Sequence, residues 1–336
     1  MSVLLRSAAN ARRTALALLL AVAVTGCART ANAPETGGEP TSDAGASSPT
    51  AVVDNAAPAG GDMATLGTAD NPIVMTFVPS GEQETVMTGS EAINKLLQDA
   101  TGLVIKSNVA TSYAAAIEAM GAGNAHVGWL NTFNYLLAHE KFDTRPLLVA
   151  ERFGSTSYAS LVVANADAGI AALADVKGKT FCRADALSTS GWIVPSVMLK
   201  AIGVAESDVT VVDSGSHDAV VAAVYAGKDC VAGAVFDDAR DGAKETYPDV
   251  MDKVLVIATS DDIPNDNVSV IAGVPEDIAK KLAEGLMSIA ATEEGAKALT
   301  DTYGIEKFQP TTDTFYDAFR STLDLAGVDV AELAEE

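Results

Sequence analysis

From residue 71 to residue 325 short apolar runs alternate with amphipathic stretches, and this alternation restricts the available folds more than any other feature of the 336-residue chain. Residues 73–78 (IVMTFV) read as a strand, and residues 85–100 carry helical periodicity closed by Gly102. A strand over 103–109 follows, then a helix over 112–120 capped by Ser112 and a short strand over 126–130. A helix across 132–140 and strands over 146–151 and 158–164 complete the first set. The second set comprises strands over 180–183, 209–212, 231–236 and 254–258, with helices within 186–203 and over 217–226. A strand over 268–272 then returns to the first set, and helices over 276–291, 293–303 and 314–325 end the pattern. Alternating β and α of this kind argues for an α/β protein with mostly parallel sheets flanked by helices. Two sets and one return predict two lobes, residues 71–163 plus 265–336 and residues 164–264. Crossover strands near 158–165 and 257–268 would form the hinge. Ligands of open parallel sheets sit beyond the strands' carboxyl ends, which here means the cleft between the lobes.

The first seventy residues read differently. Arg6, Arg12 and Arg13 precede the apolar run ALALLLAVAV (15–24), too short for a comfortable membrane span. The run ends in Val24-Thr25-Gly26-Cys27, which resembles a bacterial lipobox. Residues 1–26 are therefore expected to be a lipoprotein signal peptide and Cys27 the lipidated residue. Residues 27–70, rich in Ala, Gly, Pro, Ser and Thr without aromatics, read as a flexible tether. Together they predict an extracytoplasmic protein that meets the membrane only through its lipid anchor. Such a compartment permits a disulfide between Cys182 and Cys230, which both lie at strand starts of the second lobe. Two buried free thiols fit the sequence equally well.

Lys and Arg number 22 against 45 Asp and Glu, a formal net charge of −23. Such a field repels nucleic acid and anionic lipid, so neither is an expected partner. It permits one small anion in a local pocket, because helix ends act at short range. His126, His139 and His217 lack metal-ligand spacing, and no metal or cofactor is expected.

Ser188-Thr189-Ser190-Gly191 follows a strand and opens a helix with no acid before Glu206. Its N–H and hydroxyl groups are donors without formal charge, and the exposed N–H groups of a helix start favour an anion. A plain Ser/Thr cap fits the same residues. Ser216 would cap the next helix and place His217 at its first position, where the dipole favours a neutral imidazole able to donate. Tyr113 and Tyr158 offer phenols, and Asn131-Thr132 opens another helix toward the cleft. Asp237 ends a strand there and would accept from a proton or amine on the ligand. Ser190, His217 and Asp237 also spell a serine-hydrolase set, but Ser190 lacks the G-x-S-x-G elbow. No enzymatic activity is expected.

Taken in order, STSG with its following aromatic and proline (188–195), SHDAVVAAVYAG (216–227), AGAVFDDAR (232–240), SYAAAIEAM (112–120) and IPNDNVSV (263–270) resemble the phosphate/phosphite/phosphonate-binding proteins of ABC importers. These are two-lobed solute-binding proteins of the type II periplasmic fold. The resemblance spans roughly residues 71–325 and implies a monomer that binds a small phosphorus oxyanion and delivers it to an ABC permease. It implies that Ser188, Thr189 and Ser190 hold the ligand oxygens, helped by Tyr113, Tyr158 and His217, with Asp237 reading a proton or amine. Thr132, at its helix start, is a further expected ligand residue on the reading of the residues alone. The same fold binding a sulfonate or organic acid is the alternative. Trp192 stands where such proteins often carry tyrosine.

Overall fold

The computed structural model describes residues 62–237 and 239–335. The expected signal peptide, Cys27 and tether residues 27–61 lie outside the described residues. The first lobe runs β1 (Ile73–Phe77), α1 (Gln83–Thr101), β2 (Ile105–Val109), α2 (Tyr113–Gly121), β3 (Val127–Leu130), α3 (Thr132–Phe142) and β4 (Arg145–Glu151). β5 (Ser157–Tyr158) leads across to β6 (Ser160–Asn165), β7 (Thr180–Arg183), α4 (Val194–Ala201), β8 (Thr210–Asp213), α5 (His217–Ala226) and β9 (Ala232–Phe236). Short helices α6 (Ala239–Gly242) and α7 (Val250–Lys253) precede β10 (Val254–Thr259), and β11 (Ile263–Pro264) returns the chain to β12 (Asn267–Val270). Then follow α8 (Glu276–Ala290), α9 (Glu293–Tyr303), β13 (Lys307–Pro310), α10 (Asp317–Leu325) and α11 (Val330–Glu335). Among the described residues no helix is long and apolar enough to cross a membrane.

The first sheet has the order β13-β4-β12-β3-β1-β2 and the second β10-β6-β9-β7-β8. The crossovers β5 and β11 pair with each other, Ile263 opposite Tyr158. This is the two-lobed α/β architecture expected from the alternation, with one correction: the sheets are mixed. β1 pairs in parallel with β2 and β3, and β7 with β8 and β9. β12 and β6, entered from a crossover, run antiparallel to their neighbours. The reason is geometric. The parallel strands point toward the cleft, and a strand arriving from the other lobe starts at the cleft and runs away from it.

Three local differences stand out. β6 lies wholly in the second sheet, with Ser160 opposite Phe236, so the expected division at residue 163 falls inside one strand. The expected tether packs from residue 62 onward. Leu66 is buried, and Gly67 exchanges backbone hydrogen bonds with Asn71 and Val104 at 2.8 Å each. β13 is an edge strand with one buried residue, Phe308, too brief for periodicity to reveal. Within the second lobe Cys182 on β7 and Cys230 before β9 form a disulfide, Cα–Cα 5.7 Å across 48 residues. A closed loop of that length restricts the unfolded chain by about 4 kcal/mol in the chain-entropy account. It also fixes the two strands whose cleft ends carry the candidate ligand groups.

Candidate ligand-binding site

The loop after β7 builds the centre of the site. Ser188 Oγ accepts from the N–H of Gly191 at 3.1 Å. The following turn, Thr189–Ile193, is a wide π turn: the N–H groups of Trp192 and Ile193 both reach the Ser188 carbonyl, at 2.9 and 3.0 Å. The N–H groups of Thr189 and Ser190 open that turn and have no acceptor within it. Pro195, which has no N–H, sits at the start of α4 where the missing donor does least harm. Gly191 permits the packing, because a Cβ there would lie 2.7 Å from Ser188 Oγ and 3.2 Å from His217 Cε1. Those two residues meet, Ser188 Oγ to His217 Nε2, at 3.2 Å.

His217 stands first in α5 behind the Ser216 cap, whose Oγ accepts from the Ala219 N–H at 3.2 Å. Burial pushes its pKa down to about 3, and the nearby positive charge of Arg152 adds to the effect. The ring is therefore neutral, and its Nδ1 is buried with no protein partner. An imidazole that accepts from Ser188 at Nε2 carries its proton on Nδ1, where it can donate to an anion. Tyr113, 1% exposed, faces Ser188, and its hydroxyl completes no hydrogen bond of ordinary geometry with the protein. Tyr158 lies against Ser190. Burial raises both phenols, so both keep their protons. Tyr113, Tyr158, Ser190 and His217 thus gather as neutral groups around Ser188, whose own proton goes to His217 Nε2. Asp237 directly follows β9 and is half-buried, its N–H on the Ala159 carbonyl at 2.9 Å and its charge within reach of Tyr158.

Two expected ligand residues have other uses. Thr189 Oγ1 accepts from the Phe133 N–H and donates to Asn131 Oδ1, both at 2.9 Å. Thr132 Oγ1 donates to the Pro264 carbonyl. A hydroxyl has one proton to give, and both are committed, so these side chains tie the lobes and the hinge together. More ties cross the cleft. The Tyr113 N–H donates to Asp185 at 3.4 Å, the His217 N–H to the Ser80 carbonyl at 3.2 Å, and the Glu82 N–H to Asp218 at 3.2 Å. Lys200 reaches the Ala326 carbonyl at 2.8 Å. The lobes are closed on each other. The serine-hydrolase arrangement does not assemble as spelled, since the serine bonded to His217 is Ser188 and not Ser190. Trp192 packs edge-on against Phe181 beneath the Arg183 guanidinium, on the second lobe's own side.

Sequence reasoning missed Arg152 and Asp266. Arg152 follows β4 in a two-residue hairpin turn whose central residues, Phe153 and Gly154, have φ of 51° and 71°. Its Nη2 donates to Asp266, just past β11, at 2.8 Å. The available signal was a lone arginine ending an apolar strand, facing an aspartate inside the returning crossover IPNDN.

Residues 75–316 match the sequence profile of a family described as ABC transporter, phosphonate, periplasmic substrate-binding protein. The chain is 28% identical over 279 residues to the phosphate-import protein PhnD of Mycolicibacterium smegmatis, covering 76% of this chain and 86% of that one. Its fold is similar to the binding-protein component of an ABC phosphonate transporter from Pseudomonas aeruginosa, with TM-score 0.67 and 22% identity over 76% of this chain and 87% of that one. It is also similar to PhnD1 of Prochlorococcus marinus, solved with methylphosphonate, with TM-score 0.69 and 17% identity over 76% of this chain and 98% of that one.

Proposed function

This chain belongs to the periplasmic substrate-binding proteins of phosphonate ABC transporters, and from that premise we propose that it captures a phosphorus oxyanion between its lobes and presents it to an importer. The observation that carries the ligand class is the buried cluster of neutral donors, with the unpaired Tyr113 hydroxyl and His217 Nδ1 foremost. A buried donor without a partner costs about 1–3 kcal/mol, and an oxyanion bridging the lobes recovers that cost only in the closed form. Release then follows reopening at the paired crossovers. The protein acts as a monomer held outside the membrane by a lipid on Cys27, and it performs no chemistry on its ligand. Supporting these readings are the lipobox-like Val24–Cys27, the solute-binding family and the absence of an elbow around Ser190.

Calorimetric titration with methylphosphonate, 2-aminoethylphosphonate, phosphite, phosphate and sulfate tests the ligand class. Saturable binding of at least one phosphorus compound, at least tenfold tighter than sulfate, is the expected result (about 1.4 kcal/mol). Ser190→Ala is expected to weaken that binding with the fold intact. No heat from any phosphorus compound would end the proposal.

A further inference from the structure

Among the described residues Arg152 is the one lysine or arginine that is buried, 9% exposed. Its position is not that of a surface ion pair. The guanidinium charge bears on His217, Tyr158 and Tyr303, and its face lies 5.9 Å from the Phe236 ring, which in turn packs 4.9 Å from His217. One nitrogen, Nη2, is bonded to Asp266 at 2.8 Å, while Nε is buried and has no acceptor. Asp266 shares the same surroundings, its charge bearing on Tyr113, Tyr158 and Tyr303. A carboxylate therefore stands among the phenols that face the candidate oxyanion site, held by the arginine that an oxyanion would seek.

We propose that Arg152 is a ligand-binding residue whose Nε–H donates to the bound oxyanion, and that Asp266 is an internal anion that competes with the ligand for the guanidinium. The inference rests on the oxyanion reading above and deepens it by giving the site one formal positive charge with a built-in competitor. A guanidinium offers parallel donors to two oxygens and stays charged at any relevant pH, which suits a tetrahedral oxyanion. The competitor keeps the cation oriented and makes capture reversible. A ligand gains the free Nε–H but meets the like charge of Asp266, so affinity is set by the difference. Arg152 directly follows β4, in the turn that leads to β5, and Asp266 lies between β11 and β12. The same pair therefore bridges the two crossovers, and a ligand that draws on Arg152 acts where the lobes hinge.

The two side chains are predicted to have opposite effects. Titrations with methylphosphonate and inorganic phosphate at neutral pH should show Arg152→Gln weakened about 10- to 100-fold, the range for a hydrogen bond to a charged group. Arg152→Lys, which keeps the charge and loses the fork, should lie between. Asp266→Asn, close to isosteric, should bind both ligands several-fold more tightly than the wild type even though its ligand-free melting temperature falls. A pair that only braces the hinge would lower melting temperature in both variants and tighten binding in neither, and that pattern overturns the proposal. Should Arg152→Gln fail to fold, unchanged or weaker binding by Asp266→Asn is enough to overturn it. Silence of the wild-type protein toward both of these ligands and toward 2-aminoethylphosphonate and phosphite would instead overturn the underlying oxyanion reading.

Discussion

His217 shows how one buried side chain writes a pH dependence into the whole protein. In the unfolded chain its imidazole takes a proton near the ordinary histidine value, about 6.5. In the folded protein burial, with Arg152 nearby, holds the pKa down at about 3. Between those values the unfolded state binds one more proton than the native state, so stability falls as pH is lowered through that window. The slope is up to about 1.4 kcal/mol per pH unit, and above the unfolded value the effect vanishes. His217→Gln removes it. Urea unfolding of both proteins from about pH 7 to about pH 4 should show wild type losing up to about 3 kcal/mol relative to the variant. A difference that stays flat would mean that the ring is exposed or already protonated in the folded state. The same neutrality leaves Nδ1–H as a donor, so the stability curve reports the group that the ligand is expected to use.

At the scale of elements, what the sequence revealed was local. The caps Ser112, Asn131 and Ser216 each accept from an N–H three residues on, and helix α5 begins and ends where Ser216 and Gly227 place it. The strand-to-helix order and the returning strand are also written in short-range pattern. Thr189 is not legible this way, because its two partners lie 56 and 58 residues earlier. Arg152 and Asp266 are 114 residues apart, and no periodicity links them. Hydroxyls beside a helix start look alike in sequence whether they face a ligand or another lobe. The structure separates them, and a substitution can check it. Thr189→Val keeps the shape but leaves the Phe133 N–H unpaired in the closed form, at about 1–3 kcal/mol, and takes from Asn131 Oδ1 one of its two donors, the Asn134 N–H remaining. Both groups are hydrated when the lobes part, so the closed form is disfavoured and apparent affinity drops. Affinity for phosphate and methylphosphonate should fall together by about tenfold or more, with their ratio unchanged. Small-angle scattering of the ligand-free variant should show a larger radius of gyration. A changed ratio would put the Thr189 side chain on the ligand and return it to the binding set.

The whole molecule sets a further condition, because a protein of net charge −23 must admit an anion. The proposed neutral donors and the Arg152 guanidinium would act only after arrival, over a few ångströms. The surface carboxylates act on the approach, over distances comparable to the Debye length of about 10 Å at 0.1 M salt. The two ranges separate in kinetics. Screening weakens the long-range repulsion and leaves the buried contacts nearly untouched, so added salt should raise the association rate and barely alter dissociation. Trp129 and Trp192 supply a fluorescence signal, one in each lobe. Stopped-flow mixing with a dianionic phosphonate should show association accelerating several-fold as ionic strength rises from about 0.01 M to about 0.15 M. Affinity should improve by the same factor, the reverse of the usual effect of salt on anion binding. An association rate that falls with salt would mean that Arg152 governs the field along the approach, and that the acidic exterior lies away from the cleft mouth.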